Sequence, residues 1–321
     1  SSDTPLHQHV SNIQYSYDLP MNLYAKDTDG KIIQSDVMSL MSKMRSAVIG
    51  EEAEASVSSS MNNMMSSSGM SSTQSSFVVW QEMLPGEGDE LISPLLKQQY
   101  DVLYGSWPKS YDEAVLIVDE NNEVSDLVLY ALGLKSANDM MSAMTQYMTG
   151  KQPEQTKVES WSYADICKQS FRLILPADCY QLDPVTKQYK DISTDELGLK
   201  TLYNNAMELK IVGVVRQSDD AVSGMMTGAI GYTNALTQKV VEETQAKDFV
   251  KKQLDDKTTD VFTGLPFKES NEALTDDEIK KAVTDYCKDL SQAKKADIYV
   301  SYMSVAPQKY IGSAIDEQLK N

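Results

Sequence analysis

Histidine is almost missing from this 321-residue chain: there are two, His7 and His9, and both sit in its polar first ten residues. A catalytic imidazole must be held rigidly against its partner, and residues 1–10 read as a disordered leader that offers no such hold. Ser-His and Cys-His nucleophile chemistry is therefore excluded. His7-x-His9 supplies too few ligands on too loose a segment for a structural metal site. Cysteine is scarce as well. Cys167, Cys179 and Cys287 are an odd number in a large chain, and their spacings match neither a disulfide framework nor a zinc pattern. Cys167 and Cys179 lie close enough in sequence to pair; the other reading is buried free thiols.

Long apolar runs are absent too. None approaches the ~18 consecutive residues of a membrane span, and no basic stretch leads into an apolar one at the start, so no export signal is read there. Ser1-Ser2-Asp3 looks instead like an interior cut. Positive charge is in deficit: 29 Lys and Arg stand against 47 Asp and Glu, a net charge of −18. Phosphate backbones and anionic headgroups repel such a surface, which argues against nucleic acid as a partner. The acidity either serves solubility or draws cationic ligands such as basic peptides.

Phosphate cradles are lacking. Gly224, Gly228 and Gly231 lie in Ser-Gly-Met-Met-Thr-Gly-Ala-Ile-Gly-Tyr, which has neither the two-glycine start of a dinucleotide loop nor a Gly-Lys-Ser/Thr ending. Carboxylate pairs such as Asp219-Asp220 and Asp255-Asp256 carry little information in so acidic a chain. Asp119-Glu120-Asn121-Asn122-Glu123 lacks the ligand order, central glycine and closing Glu of a calcium loop, and reads as a solvated turn. No catalytic residue, cofactor site or metal site emerges, and the chain is expected not to be an enzyme.

What is present is an ordinary globular composition, 41% hydrophobic and 24% charged. Tyr15, Tyr17, Leu19, Met21 and Leu23 alternate as a strand, Asp29-Gly30 marks a hairpin turn, and 31–34 is the returning segment. Val37, Leu40, Met41, Met44 and Val48 are spaced for an amphipathic helix over 36–49. A Met/Ser-rich insertion then follows at 50–76, with eleven serines between Ser56 and Ser76; it lacks the periodicity to offset its ordering entropy and reads as a flexible loop rather than a thioether copper site. Further strands are expected at 77–83, 113–118, 171–175, 179–182, 207–216 and 298–305, that over 207–216 being central. Helices are expected over 91–104, 126–132 (capped by Ser125 and stopped by Gly133), 137–149, 232–256 and 276–296. Met140, Met144 and Met148 stack as packing residues, and Thr275 with Glu278 forms a capping box. Strands and helices interleave without a strict βαβ cadence, so the fold class is α+β.

One stretch is distinctive. Gln99-Tyr-Asp-Val-Leu-Tyr-Gly-Ser-Trp-Pro-Lys-Ser-Tyr-Asp-Glu-Ala-Val-Leu-Ile-Val-Asp, running on to Leu132-Gly133-Leu134, resembles the extracellular region of Firmicute-type FtsX/MacB-family ABC-transporter permeases. Leu209–Arg216, Gly231–Leu236 and Val261–Phe267 are similar to the same family and spread the likeness over most of 12–310. The residues that carry it are Gly105, Trp107, Pro108, Asp112, Glu113, Gly133, Gly213, Gly231, Gly264 and Pro266, in structural rather than chemical roles. The resemblance implies that 11–321 is a MacB-like periplasmic core domain: a mixed α/β porter-like lobe with a second lobe inserted at about 105–205. It implies a domain on the extracellular side of the cytoplasmic membrane, part of an integral membrane protein, with membrane helices before residue 1 and after residue 321. Its partners would be those helices, a separate cytoplasmic ABC ATPase subunit, and a cationic peptide or protein substrate. Its work would be mechanotransmission in transport, without catalysis. The alternative is a secreted or anchored binding protein for cationic peptides or cell-wall material.

Overall fold

The computed structural model describes residues 19–50, 78–136, 138–140, 142, 159–184, 189–221, 224–262, 267, 275–288, 290, 292 and 295. In chain order the elements are β1 (Leu23–Lys26), β2 (Ile32–Gln34), α1 (Val37–Ile49), β3 (Trp80–Glu82), α2 (Pro94–Gln99), β4 (Tyr100–Gly105), β5 (Glu113–Val118), α3 (Asp126–Ala131), α4 (Tyr163–Ile166) and β6 (Ser170–Leu173). A 3-10 turn (Pro176–Cys179) leads to β7 (Tyr180–Leu182), β8 (Tyr189–Asp191), α5 (Glu196–Asn205), β9 (Met207–Gln217), β10 (Ile230–Tyr232), α6 (Asn234–Gln245), α7 (Asp248–Asp255) and α8 (Asp276–Lys288). The chain divides into two units, Ser1–Leu265 and Pro266–Asn321. The second contributes α8 to the described residues. Among them no helix is long and apolar enough to cross a membrane.

The first unit is built on β9. Its Ile- and Val-rich run, Leu-Lys-Ile-Val-Gly-Val-Val, suits a strand buried on both faces, and it is the strand expected to be central. β9 pairs in parallel with β5 on one side; on the other it pairs antiparallel with β6 along its first half and with β4 along its second. The full sheet has eight strands in the order β2-β1-β6-β9-β5-β10-β3, with β4 attached to β9. The architecture is thus α+β with a mixed sheet. From the span 105–205, β5 and β6 lie within this sheet, whereas β7 and β8 form a separate two-stranded ribbon.

Alternation along the strands sorts side chains into two layers. On one face Ala114, Leu116 and Val118 of β5 join Phe171, Leu209, Ile211 and Val214 under α1, α3 and α6. On the other, Val115 and Val215 pack with Met83, Ile92, Leu96, Tyr100 and Met226. The jump from Ile211 to Val214 on one face marks a bulge: Ala114 pairs with Ile211 but Val115 with Gly213, leaving Val212 as the extra residue. Each fully buried Leu, Ile or Phe contributes about 1.5–3 kcal/mol by leaving water. Trp80 closes the core from β3, with its ring edge-on to Phe171 at 4.9 Å and its Nε1 donating to Ser35 O at 3.1 Å and Ser35 Oγ at 3.0 Å.

Local signals explain several boundaries. Asp36 caps α1, its Oδ1 accepting from Ser39 N at 2.7 Å. Ser125 caps α3 by accepting from Val128 N, and Gly133 follows at φ 74°. Asp29-Gly30 does form the turn between β1 and β2, with Asp27 Oδ1 taking the amides of Asp29 and Lys31.

Other expectations fail. The helix expected over 91–104 stops at Gln99, because Tyr100-Asp-Val-Leu-Tyr-Gly finds the vacant half of β9 and extends as β4; pairing overrides local propensity. The helix expected over 232–256 is two. Tyr232 belongs to β10, Thr233 is extended, and the chain extends again at Lys247, whose ammonium pairs with Asp178. The strand expected over 171–175 ends at Leu173, since Pro176 opens a 3-10 turn. Cys167 and Cys179 are free thiols, unpaired with each other. No expectation covers β4, β8, β10, α4 or α5, although Ser162 and Asp195 cap the last two by accepting from Asp165 N and Gly198 N. Residues 19–22 of the expected first strand precede β1, which begins at Leu23. Residues 15–18 of it, the leader 1–10, the insertion from Glu51 to Ser76, Met144, Met148 and the strand over 298–305 lie outside the described residues.

Glu82 joins β3 to α6, accepting from Asn234 Nδ2 at 2.9 Å and from Thr237 Oγ1. Beside it the Tyr232 hydroxyl is pushed up to about 12, first by burial and then by the Glu82 charge, with a Thr237 hydrogen bond partly opposing. The folded state therefore keeps a proton that an unfolded tyrosine gives up near pH 10. Stability is unaffected below pH 10 and falls as pH rises towards 12, by on the order of 2 kcal/mol. Urea midpoints measured across that range should decline more steeply for the native chain than for Tyr232→Phe.

At the bulge the backbones of β4 and β9 nearly touch. A Cβ on Gly105 would run into Val212 O, and one on Gly213 into Ser106 O. Gly213→Ala should cost about 2–3 kcal/mol through that overlap. Gly30→Ala, at φ 78° but facing open space, should cost about 1 kcal/mol. Urea midpoints at unchanged m-value compare the two.

Candidate functional site

Because β5 and β9 run parallel, their carboxyl ends lie side by side, and each strand continues into an acidic turn: Asp119-Glu120 after β5, Asp219-Asp220 after β9. Between the turns opens a cleft of about 720 Å³. Its floor includes Tyr100, Ile117, Val118, Val128 and Met226, and its walls carry Asp119, Glu120, Glu123 and Asp219. No lysine or arginine is among its lining residues. Ligands of open α/β sheets commonly bind outside the carboxyl ends of strands. A cleft lined with charge of one sign also focuses its field.

The first wall is a self-bracing turn. Asp119 Oδ1 accepts from Asn121 N at 2.9 Å and Glu123 N at 2.8 Å, and Asp119 N donates to Glu123 O at 3.0 Å. Asn122 sits at φ 63°, a left-handed conformation that Asn tolerates well, and its Oδ1 accepts from Arg216 Nη1 at 3.1 Å. One oxygen of Asp119 is thus committed to backbone amides. Among the described residues, no group of three His, Cys, Asp or Glu side chains converges on a metal position.

The second wall includes Met226, Thr227, Gly228 and Ala229, and it is held from outside. Gln81 Oε1 accepts from Thr227 N at 2.7 Å and Gly228 N at 2.9 Å, and its Nε2 donates to Met225 O at 3.4 Å. Tyr100 Oη accepts from Met226 N at 2.9 Å. Burial raises the Tyr100 hydroxyl pKa, and its bonds to the Met226 and Met225 backbone partly offset the rise. Two side chains from β3 and β4 therefore set this wall's position.

The residues singled out in the sequence lie elsewhere. Gly105 and Gly213 face each other across β4 and β9. Trp107 packs on the second core layer and Pro108 is buried after β4. Asp112 O accepts from Lys210 N at 2.9 Å, and Glu113 Oε2 from Lys109 N at 2.7 Å. Gly133 lies against Lys26 O, and Gly231 sits in β10 against Met83. Gly264 and Pro266 lie outside the described residues. None of the described eight lines the cleft. Of the carboxylates that do line it, Asp219 belongs to a pair that carries little information in so acidic a chain, and Asp119, Glu120 and Glu123 read as a solvated turn. The signal that could have found them is positional: a Val-rich strand running straight into an acidic turn, twice.

Compared with models of known protein families, with curated proteins and with solved structures, the chain matches none.

Gln81→Leu removes the acceptor shared by two cleft-wall amides. It should cost about 1–3 kcal/mol and raise amide hydrogen exchange at Thr227 and Gly228 well above that at β5, as measured by mass spectrometry.

Proposed function

We propose that this chain is the non-catalytic extracytoplasmic domain of an FtsX/MacB-type ABC-transporter permease, with a MacB-like core. In this reading it couples ATPase-driven motion of membrane helices to export of a substrate or engagement of a partner. The observation that supports it is the convergence of the segments that carry the resemblance. Tyr100–Gly105, Glu113–Val118, Leu209–Arg216 and Gly231-Tyr232 are scattered in sequence but contribute four neighbouring strands, β4, β9, β5 and β10. Their ladders join these strands into one block, with the glycine crossing bringing β4 against β9. A block of that kind moves as a unit, which is what a force-transmitting domain requires.

The cleft at the end of this block is the surface where a substrate or partner would be met. Its carboxylates supply electrostatic recognition and orientation; the reading assigns them no bond-making step. The membrane helices of the same polypeptide and a separate cytoplasmic ATPase subunit are the implied partners.

The natural reading frame tests the proposal. It is expected to encode one apolar helix before residue 1 and three after residue 321, and the full-length product is expected to co-purify with an ABC ATPase subunit. A frame with no apolar helix on either side would sink it.

A further inference from the structure

Behind the Asp119–Ser125 turn lies a second cavity, of about 490 Å³, which shares Val118, Glu123 and Val124 with the acidic cleft as a common wall. Its interior differs in chemistry. Leu116, Leu129, Leu132, Leu134 and Ile166 line it, all buried, and the Trp161 and Tyr163 rings stand half-buried at its side. The one lysine among its lining residues, Lys135, is already neutralised: its Nζ lies 3.2 Å from Asp126 Oδ1 and 3.5 Å from Glu159 Oε2, and over the Tyr130 ring. Arg216, nearby at the end of β9, gives its Nη1 to Asn122. With Glu123, Asp126 and Glu159 against Lys135 and Arg216, the mouth remains net negative.

We propose that the two cavities form one recognition groove for a cationic amphipathic peptide. A large aliphatic or aromatic side chain of the peptide fills the apolar cavity, and its basic neighbours lie along Glu120, Glu123 and Asp219 in the cleft. Each half selects against other ligands. An anionic lipid or nucleic acid meets carboxylates on both sides of the shared wall. A bare metal ion finds no converging ligand set among the described residues and leaves the apolar cavity unused. A neutral apolar molecule could enter one cavity but gains nothing from the other. Only a ligand with an apolar group next to positive charge satisfies both halves, an apolar anchor with a charged rim being the usual division of labour at binding sites. The inference rests on the reading of the cleft as a contact surface, and names what the surface contacts.

The test uses the full 321-residue chain and a capped octapeptide of alternating Lys and Leu, titrated by calorimetry at low and high salt. Two control peptides replace every Lys with Glu or every Leu with Ser. The Lys-Leu peptide should bind at least tenfold more tightly than either control, and its affinity should drop severalfold at high salt. Glu120→Gln with Asp219→Asn, both exposed positions, should reduce the salt dependence. Ser160→Trp, at the exposed rim of the apolar cavity, should cost the Lys-Leu peptide at least tenfold while leaving the Lys-Ser peptide unchanged. Circular dichroism of each variant checks that the fold is intact. Equal binding of the Glu control, insensitivity to both variants, or no binding of the Lys-Leu peptide would each overturn the groove. The outcome is separable from the permease reading, because the titration does not depend on flanking helices, and a domain that ignores the peptide could still transmit motion.

Discussion

The sheet depends on one strand, β9, that holds three neighbours, one of them, β4, at a distance only glycine allows. β9 pairs with β5 from Lys210 to Arg216 and divides its other edge between β6 and β4. The handover falls at the bulge of Val212, where Gly213 lies opposite Gly105 and the two main chains are so close that only a hydrogen fits where a Cβ would be. Relaxing that contact would push β4 away from β9. Tyr100 and Leu96 would then leave the second core layer, and the Tyr100 hydroxyl would leave the cleft wall it holds.

The cleft is a consequence of that arrangement rather than an addition to it. A parallel pair places both strand ends on one side, so two acidic turns that are far apart in sequence become neighbours. Carboxylates of like charge brought together cannot also be buried without suppressing one another's ionisation, and the structure leaves them around an open volume. Stability for the rim comes from bonds that use no opposing charge: Asp119 accepts the amides of its own turn, and Gln81 and Tyr100 accept those of the opposite segment. The rim's net charge is thereby left facing outward, available to whatever enters.

Where local chemistry is strong, the fold is legible in the residues themselves. Ser125 and Gly133 bracket α3, Asp29-Gly30 turns the first hairpin, and the Ile/Val run of β9 announces a central strand. Where the deciding partner is distant, it is not. Tyr100–Gly105 carries residues that serve a helix nearly as well as a strand, and only the vacant half of β9 settles the matter. Ile230-Gly231-Tyr232 is too short to show a period, and becomes β10 because Leu116 and Trp80 lie on either side of it. The functional surface is the least legible part, since Asp119, Glu120 and Asp219 are ordinary acids in a chain that has 47 Asp and Glu.

Composition and pattern by themselves determined an acidic α+β chain, the cap and stop of α3, the first hairpin turn and the principal strand. These follow from interactions spanning a few residues, or from totals. Tertiary structure alone decided which strands are neighbours, that β5 and β9 run parallel, and hence that carboxylates from two turns share one cleft with an apolar cavity behind it. The reason is that strand pairing joins residues about a hundred positions apart through main-chain bonds, which every sequence position can make and none encodes alone.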